Sequence, residues 1–463
     1  MAGSDDETPA PGVSEGGAAA PGGVAVRVRR SRVVTGLAAA GVTVAAALCG
    51  AAAVFAVAKV AAAPAVVLGA GMAAFLAVGH AGAALVAARR AWPGRRRAVR
   101  LRVFVLGSVL PGALLAWAAL VPRPPGVAPA APVAAGAEGV REFFVEAGAG
   151  ARLRVVKLAG RGPERRVPIV VVHGGPGVPE LEDNVRAFAP LAARGWDVYL
   201  YAQLGTADST RLADPRGYTR ERGVADLESL RARLGLDAMV LFGHSYGGEL
   251  AARYLAAHPG RVARLVLTSP GPLDPADRSG DLVGARLDAG RRARLYVGLL
   301  APRPLLGYLL LQSNPSAAHA FMPDAEADAR NDAVVTLTEP ALHCRGAAPA
   351  LRPVRGTGFY TMQYPQSATA PRPADPRAAL RGLRTPTLVV KGSCDYLSWR
   401  SAVAYRELLP GARLVYLPGA GHNVHQDRPR EVLAAVEAFL EGGPPPIPAY
   451  EGDGPPAGYE GPA

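Results

Sequence analysis

The apolar positions of this chain follow two regimes. In the first, charge is missing over long stretches. Val33 to Ala58 is a 26-residue run without a charged side chain, Val60 to Ala88 is a second such run, and Val103 to Val121 adds 19 more residues. A helix needs roughly 20 apolar residues to cross a bilayer, so each run is long enough despite its wealth of Ala and Gly. The pattern predicts three transmembrane helices at about 33–58, 61–88 and 103–121.

In the second regime, from 138 to 441, short apolar runs alternate with amphipathic ones. Ala151–Leu158, Val167–Val172, Asp197–Tyr201, Ala238–Phe242, Val262–Leu267, Thr387–Lys391 and Leu414–Leu417 read as strands. Val167–Val172 is apolar throughout, as expected of a strand covered on both faces. Leu181–Arg194, Ala225–Leu234, Tyr246–His258 and Glu431–Leu440 have helical spacing. This alternation predicts an α/β fold, a mostly parallel sheet with helices on both faces. Between about 272 and 381 the strand signal fades and helical runs with scattered prolines take over. That stretch is too long for a loop and reads as an inserted helical cap. Residues 1–32 read as a disordered basic tail, 122–137 as a Pro-rich linker, and 442–463 as a disordered Pro/Gly-rich tail.

Charge sharpens this division. The chain of 463 residues carries a net +13, yet residues 1–137 hold 13 Lys/Arg against 4 Asp/Glu and so account for +9 of it. The excess sits in two clusters, Arg27–Arg32 and Arg89–Arg102, that flank the apolar runs. Short basic loops stay in the cytoplasm, and two spans separate the clusters, so both fit that side and the third span carries the rest of the chain outside. The expected location is therefore a multi-pass cell-membrane protein with an extracytoplasmic catalytic domain, the lipid bilayer being its one evident partner. No basic stripe interleaved with aromatics points to nucleic acid. His80, in the second run, reads as a helix-interface or membrane-interfacial residue. With 3 cysteines and no CxxC pair, neither a disulfide-dense domain nor a structural zinc site is expected.

Candidate chemistry lies in the second regime. The strand Val240-Leu241-Phe242 runs into Gly243-His244-Ser245-Tyr246-Gly247 and then a helix. A G-x-S-x-G turn between strand and helix holds a serine at a sharp bend with its hydroxyl exposed. Upstream, Ile169–Val172 leads into His173-Gly174-Gly175-Pro176-Gly177, a glycine-rich turn able to aim a backbone N–H at a developing oxyanion. Gly175 and Tyr246 are the expected donors, and His173 is expected to hold the loop. A serine nucleophile needs a base, and the base an orienting acid. Asp395 follows the strand Thr387–Lys391, and His422 follows Leu414–Leu417 through a glycine-rich exit. Both leave the carboxyl ends of strands, where sites in open parallel sheets form. Ser245, Asp395 and His422 thus make the expected catalytic set. Asp427 and Asp274 are rival acids, and His244, His258 and His425 weaker bases.

These four motifs, in this order, resemble the α/β-hydrolase superfamily over about residues 138–441. Within it, His173-Gly174-Gly175-Pro176-Gly177 looks like the proline iminopeptidase and serine aminopeptidase group. That group usually carries Asp-Gln-Arg-Gly-x-Gly-x-Ser after the next strand, where this chain has Ala202-Gln203-Leu204-Gly205-Thr206-Ala207-Asp208-Ser209. The resemblance implies a serine hydrolase without metal or organic cofactor, releasing N-terminal residues from short peptides. An esterase or lipase on small acyl esters is the alternative, and a non-catalytic binding protein on the same fold a third reading. It also implies cap acids that hold a substrate amino terminus, with Asp324, Glu326, Asp328 and Glu339 as candidates. Cys344 and Cys394 both follow the third span; a disulfide from cap to acid loop and two free thiols fit their spacing equally.

Overall fold

The computed structural model describes residues 22–90, 93–122, 133, 139–162, 167–346 and 353–463. Contacts divide the chain into two compact units, Met1–Val54 with Leu68–Ala116, and Phe55–Val67 with Trp117–Ala463.

The smaller unit is built on three helices long and apolar enough to cross a membrane, Gly36–Ala58, Pro64–Arg89 and Pro93–Leu120. Small residues set their spacing. A Cβ at Gly107 would come 2.9 Å from the Ala39 carbonyl oxygen, and one at Gly82 2.9 Å from a Val42 methyl. Close backbone approach of this kind is how helices pack where lipid removes the hydrophobic drive. The first helix begins at Gly22, inside the expected tail, while residues 1–21 lie outside the described residues. The third begins near Pro93 rather than 103, so Arg95–Arg102 ride on the helix. Arginine is a good helix former whose long side chain reaches water from a helix end. His80 packs edge-on to Phe104 at 5.3 Å and meets Arg100, as expected of a helix-interface histidine.

The larger unit carries one sheet of eight strands, β1 (Val140–Glu146), β2 (Arg152–Leu158), β3 (Ile169–Val172), β4 (Val198–Tyr201), β5 (Met239–His244), β6 (Val262–Thr268), β7 (Thr387–Gly392) and β8 (Ala412–Leu417). Their order is β1-β2-β4-β3-β5-β6-β7-β8. β1 and β2 run antiparallel at one edge and the rest are parallel. β1 was not evident in the sequence because its residues are mostly exposed, so no apolar run marks it. In β5, alternate residues Val240 and Phe242 join a core with Val185, Phe188, Val432 and Phe439 of the helices Leu181–Ala193 and Pro429–Leu440. Phe188 meets Phe242 edge to face at 4.7 Å. The intervening Met239 and Leu241 are also fully buried, as expected where helices cover both faces.

Between β6 and β7 stands the cap, with helices Ala289–Leu299, Pro302–Leu311, Pro315–Phe321, Asp324–Thr338 and Phe359–Gln363. The linker at 122–137 falls almost wholly outside the described residues. The C-terminal segment corrects the expectation of a disordered tail. Ala449 bridges Val415 beside β8, Tyr450 and Tyr459 pack edge-on against Trp399, and the Trp399 backbone N–H donates to the Pro462 carbonyl. Aromatic anchors and edge hydrogen bonds offset the chain entropy that a Pro/Gly-rich composition alone leaves unopposed.

Candidate active site

Ser245 stands between β5 and the helix Tyr246–Ala257 at φ 55°, ψ −123°. Side chains rarely adopt this conformation, and the surrounding structure holds it. The turn closes only on glycine: a Cβ at Gly243 would lie 2.5 Å from the Gly247 carbonyl oxygen, and one at Gly247 would strike that of Val172. Ser245 is 7% exposed, at the amino end of a helix whose first N–H belongs to Tyr246.

The loop after β3 lies against this turn, since a Cβ on Gly174 would come 2.9 Å from that of Ser245. Gly175, at φ +116°, precedes a cis peptide to Pro176. His173 fixes the loop: its Nε2 accepts from the Gln203 N–H at 3.0 Å, its Nδ1 donates to the Gly174 carbonyl at 3.0 Å, and Gln203 Nε2 donates to the His173 carbonyl at 2.8 Å. Burial lowers the His173 imidazole to about 4, so it is neutral near pH 7 and holds the loop. Gln203 is thus the residue of the 202–209 loop that ties the two turns together.

His422 and Asp395 meet. His422 Nδ1 donates to Asp395 Oδ1 at 2.7 Å, and the Leu397 N–H donates to the same oxygen at 3.1 Å. The other oxygen, Oδ2, accepts from Lys391 Nζ at 2.7 Å, and Lys391 and Asp395 are both fully buried. Burial would raise the Asp395 carboxyl, but the Lys391 and His422 charges hold it well below the usual range. Burial pulls the Lys391 ammonium down against the attraction of Asp395. The His422 ring lies 5.0 Å from His244, the neighbour of Ser245. It lies 4.5 Å from Tyr396, whose hydroxyl faces that of Ser245. The structure therefore gathers Ser245, Asp395 and His422 at the carboxyl ends of β5, β7 and β8. An acid-bound imidazole beside a strained, buried serine is the arrangement that nucleophilic acyl transfer uses.

Lys391 and Tyr396 were not singled out in the sequence. The one signal for Lys391 was a lysine closing an otherwise apolar strand, four residues before Asp395.

The rival acids are occupied elsewhere. Asp427 accepts from His343 Nδ1 at 2.7 Å and from the Gly421 N–H at 2.6 Å. Asp274 accepts from the Ala276 N–H at 2.9 Å in a surface turn. His425 is half-buried and edge-on to His244 at 5.2 Å, with neither ring nitrogen partnered among the described residues, and desolvation lowers its imidazole to about 4; His258 packs on Tyr254. Among the cap acids, Glu326 is paired with Arg303 and Arg330, Asp328 with Arg211, and Asp324 with His319. Glu339 differs. Its Oε1 accepts from His343 Nε2 and from Asn423 Nδ2, each at 3.2 Å, while Oε2 is buried without a partner among the described residues. Asn423 follows His422, and its Oδ1 lies 3.2 Å from His244 Nε2. Glu180 stands near: burial, then the repulsion of Glu339 and Asp183, raises its carboxyl to about 8. Cys344 and Cys394 are joined in a disulfide with Cα atoms 5.1 Å apart, which ties the cap to the loop bearing Asp395.

An eight-stranded, mostly parallel sheet with a serine elbow after β5, a helical cap, and acid and histidine after β7 and β8 defines a hydrolase architecture. The chain belongs to the α/β-hydrolase family. Residues 167–295 match the family model described as the alpha/beta hydrolase fold. Over 287 residues, 60% of this chain and 80% of its relative, it is 30% identical to the human (Lyso)-N-acylphosphatidylethanolamine lipase. It is 28% identical over 279 residues, 59% of this chain and 88% of its relative, to the proline iminopeptidase of Levilactobacillus brevis. A solved proline iminopeptidase of Mycobacterium smegmatis aligns at a TM-score of 0.45 and 21% identity, over 65% of this chain and 98% of that one.

Proposed function

We propose that the protein is a membrane-anchored serine hydrolase whose triad is Ser245, His422 and Asp395. The observation that carries this reading is the 2.7 Å bond from His422 Nδ1 to a fully buried Asp395, beside a serine held at φ 55°. His422 Nε2 takes the hydroxyl proton as Ser245 Oγ attacks a substrate carbonyl. The Gly175 and Tyr246 amides donate to the oxygen that becomes negative. His422 then passes the proton to the leaving group as the carbonyl–leaving-group bond breaks, which leaves an acyl ester on Ser245. Water, deprotonated by the same imidazole, attacks that ester and releases the acid and the free serine. Asp395 keeps the imidazole in the tautomer with hydrogen on Nδ1 and stabilises the imidazolium.

For the substrate we favour a short peptide or amino-acid amide with a free amino terminus. The unpartnered Oε2 of buried Glu339, with the half-buried Glu180 carboxyl nearby, supports this, because a pair of carboxyls shielded from bulk water is an apt seat for an ammonium. Proline amide and a neutral acyl ester make the test. Glu339→Gln should raise KM for the amide about 10- to 100-fold, the worth of a charge-assisted hydrogen bond, and leave ester turnover little changed. Equal amide kinetics in both forms would move the assignment to the second reading, a lipase or esterase. The named lipase relative and the exposed apolar cap residues Val297 and Leu300 favour that reading.

The three apolar helices and their basic flanks support a multi-pass anchor with the hydrolase outside the cell, and the Cys344–Cys394 disulfide suits an oxidising exterior.

A further inference from the structure

Among the described residues, the large exposed apolar side chains of the hydrolase and cap are Phe144, Tyr296, Val297, Leu299, Leu300 and Tyr308. Tyr296, Val297, Leu299 and Leu300 lie at one corner, where the helix Ala289–Leu299 turns into Pro302–Leu311, and Tyr308 stands further along the second helix. Val297 and Leu300 are 73% and 63% exposed. The run Tyr296-Val297-Gly298-Leu299-Leu300-Ala301-Pro302 contains no charge, while Arg292 and Arg294 stand exposed just before it. Soluble surfaces scatter apolar residues singly; a contiguous corner with basic residues behind it marks a contact surface.

What the corner meets is indicated at the two ends of the helix Pro302–Leu311. In its first turn, buried Arg303 pairs with Glu326 at 2.6 Å through both nitrogens and donates from Nη1 to the Ala119 carbonyl at 2.9 Å. Ala119 lies in the last turn of the third apolar helix. Just past the other end, Asn314 Nδ2 donates to the carbonyls of Ala58 and Ala61 at 2.8 and 3.3 Å. Ala58 closes the first apolar helix. Residues 55–67 and 117–120 belong to the same compact unit as the hydrolase. The helix is thus fastened at both ends to the residues at which two apolar helices emerge from the hydrocarbon. That level is where an apolar corner backed by arginines finds acyl chains below and anionic headgroups beside it.

We infer that the cap corner Tyr296–Tyr308 is seated in the interfacial layer of the bilayer, so that the cap stands on the membrane and amphiphiles dispersed in the outer leaflet reach it without crossing water. This rests on the membrane reading of the three helices, and the test separates the two. The full-length protein is placed in proteoliposomes of phosphatidylethanolamine and phosphatidylglycerol with doxyl-labelled lipid. An environment-sensitive fluorophore is attached at Cys49, which is exposed within the first apolar helix, or, in a Cys49→Ala chain, at Val297→Cys, Leu300→Cys or Phe144→Cys. The disulfide stays intact, and retained fluorophosphonate labelling checks the fold of each variant.

Labels at 297 and 300 should be quenched by doxyl lipid several-fold more than the label at 144 and shielded from iodide. Quenching at Cys49 with 297 and 300 behaving like 144 overturns the inference and leaves the anchor standing. No quenching at Cys49 overturns the membrane reading, and the inference with it. Shielding from iodide without lipid quenching assigns the corner to a second copy of the chain and also overturns the inference. In Val297→Asp with Leu300→Asp, hydrolysis of an ester dispersed in the bilayer should fall several-fold while that of a water-soluble ester holds. Equal losses on both contradict the proposal.

Discussion

Two histidines close to each other contrast what would hold the proposed base, His422, ready with what locks an imidazole in place. His422 has one carboxylate partner, Asp395 on Nδ1, and its ring packs by Tyr396 next to Ser245. His343, whose neighbour Leu342 accepts from the His422 N–H, has a carboxylate on each nitrogen, Asp427 on Nδ1 and Glu339 on Nε2. Burial alone would lower the His343 imidazolium, but hydrogen bonds to Asp427 and Glu339 outweigh it and raise it to about 9. A doubly held histidine stays charged near neutrality and braces the cap to the loop after β8. A singly held one keeps a nitrogen for proton transfer. Fold and burial are alike at the two sites; the count of carboxylates separates them.

The comparison breaks most visibly at His422. His422→Ala should lower kcat on the order of 10⁶-fold, read with any substrate the wild type turns over, whereas His343→Gln should leave kcat within about tenfold. Similar losses in both would erase the distinction.

Lys391 offers a second and smaller test. Lys391→Met leaves the buried Asp395 oxygen without its cation, and stability should fall by about 3 kcal/mol, as when one partner of a buried pair is removed. With the Lys391 charge gone, Asp395 acts on the imidazole alone, and the acid limb of the kcat/KM profile should move to higher pH. A loss of stability with an unmoved limb would make Lys391 a packing residue only.

The smallest effect is on pH-dependent stability. The folded state raises His343 from 6.5 to about 9. The stability it contributes is therefore fully present below about pH 6.5 and is lost as pH rises through about 9. Melting temperature should decline across that window in the wild type and more weakly in His343→Gln. Identical profiles would remove the charge from His343.

The sequence and the structure agree where one local rule decides. The serine elbow needs small flanking residues at a bend, and Gly243 and Gly247 announce it. Asp395 and His422 end apolar strands with glycine-rich exits, so their place at the sheet's carboxyl edge was legible before any distance was known. What stayed hidden depends on contacts between distant segments. β1 is amphipathic and exposed, and only pairing with β2 makes it a strand. Residues 442–463 have the composition of a free tail, and only the Trp399 surface gives Tyr450 and Tyr459 somewhere to pack. Asp324, Glu326, Asp328 and Glu339 look alike in the sequence. Each has an ion-pair partner, Arg211, Arg303, His319 or His343, and only the buried, unpartnered Oε2 sets Glu339 apart among the described residues.

The most direct measurement is the site of a fluorophosphonate adduct, mapped by mass spectrometry on the full-length protein in membranes, with Ser245→Ala and His422→Ala beside the wild type. The account predicts one adduct, on Ser245, absent from Ser245→Ala and formed far more slowly in His422→Ala. An unlabelled wild type that is demonstrably folded, or an adduct elsewhere that survives Ser245→Ala, would contradict it.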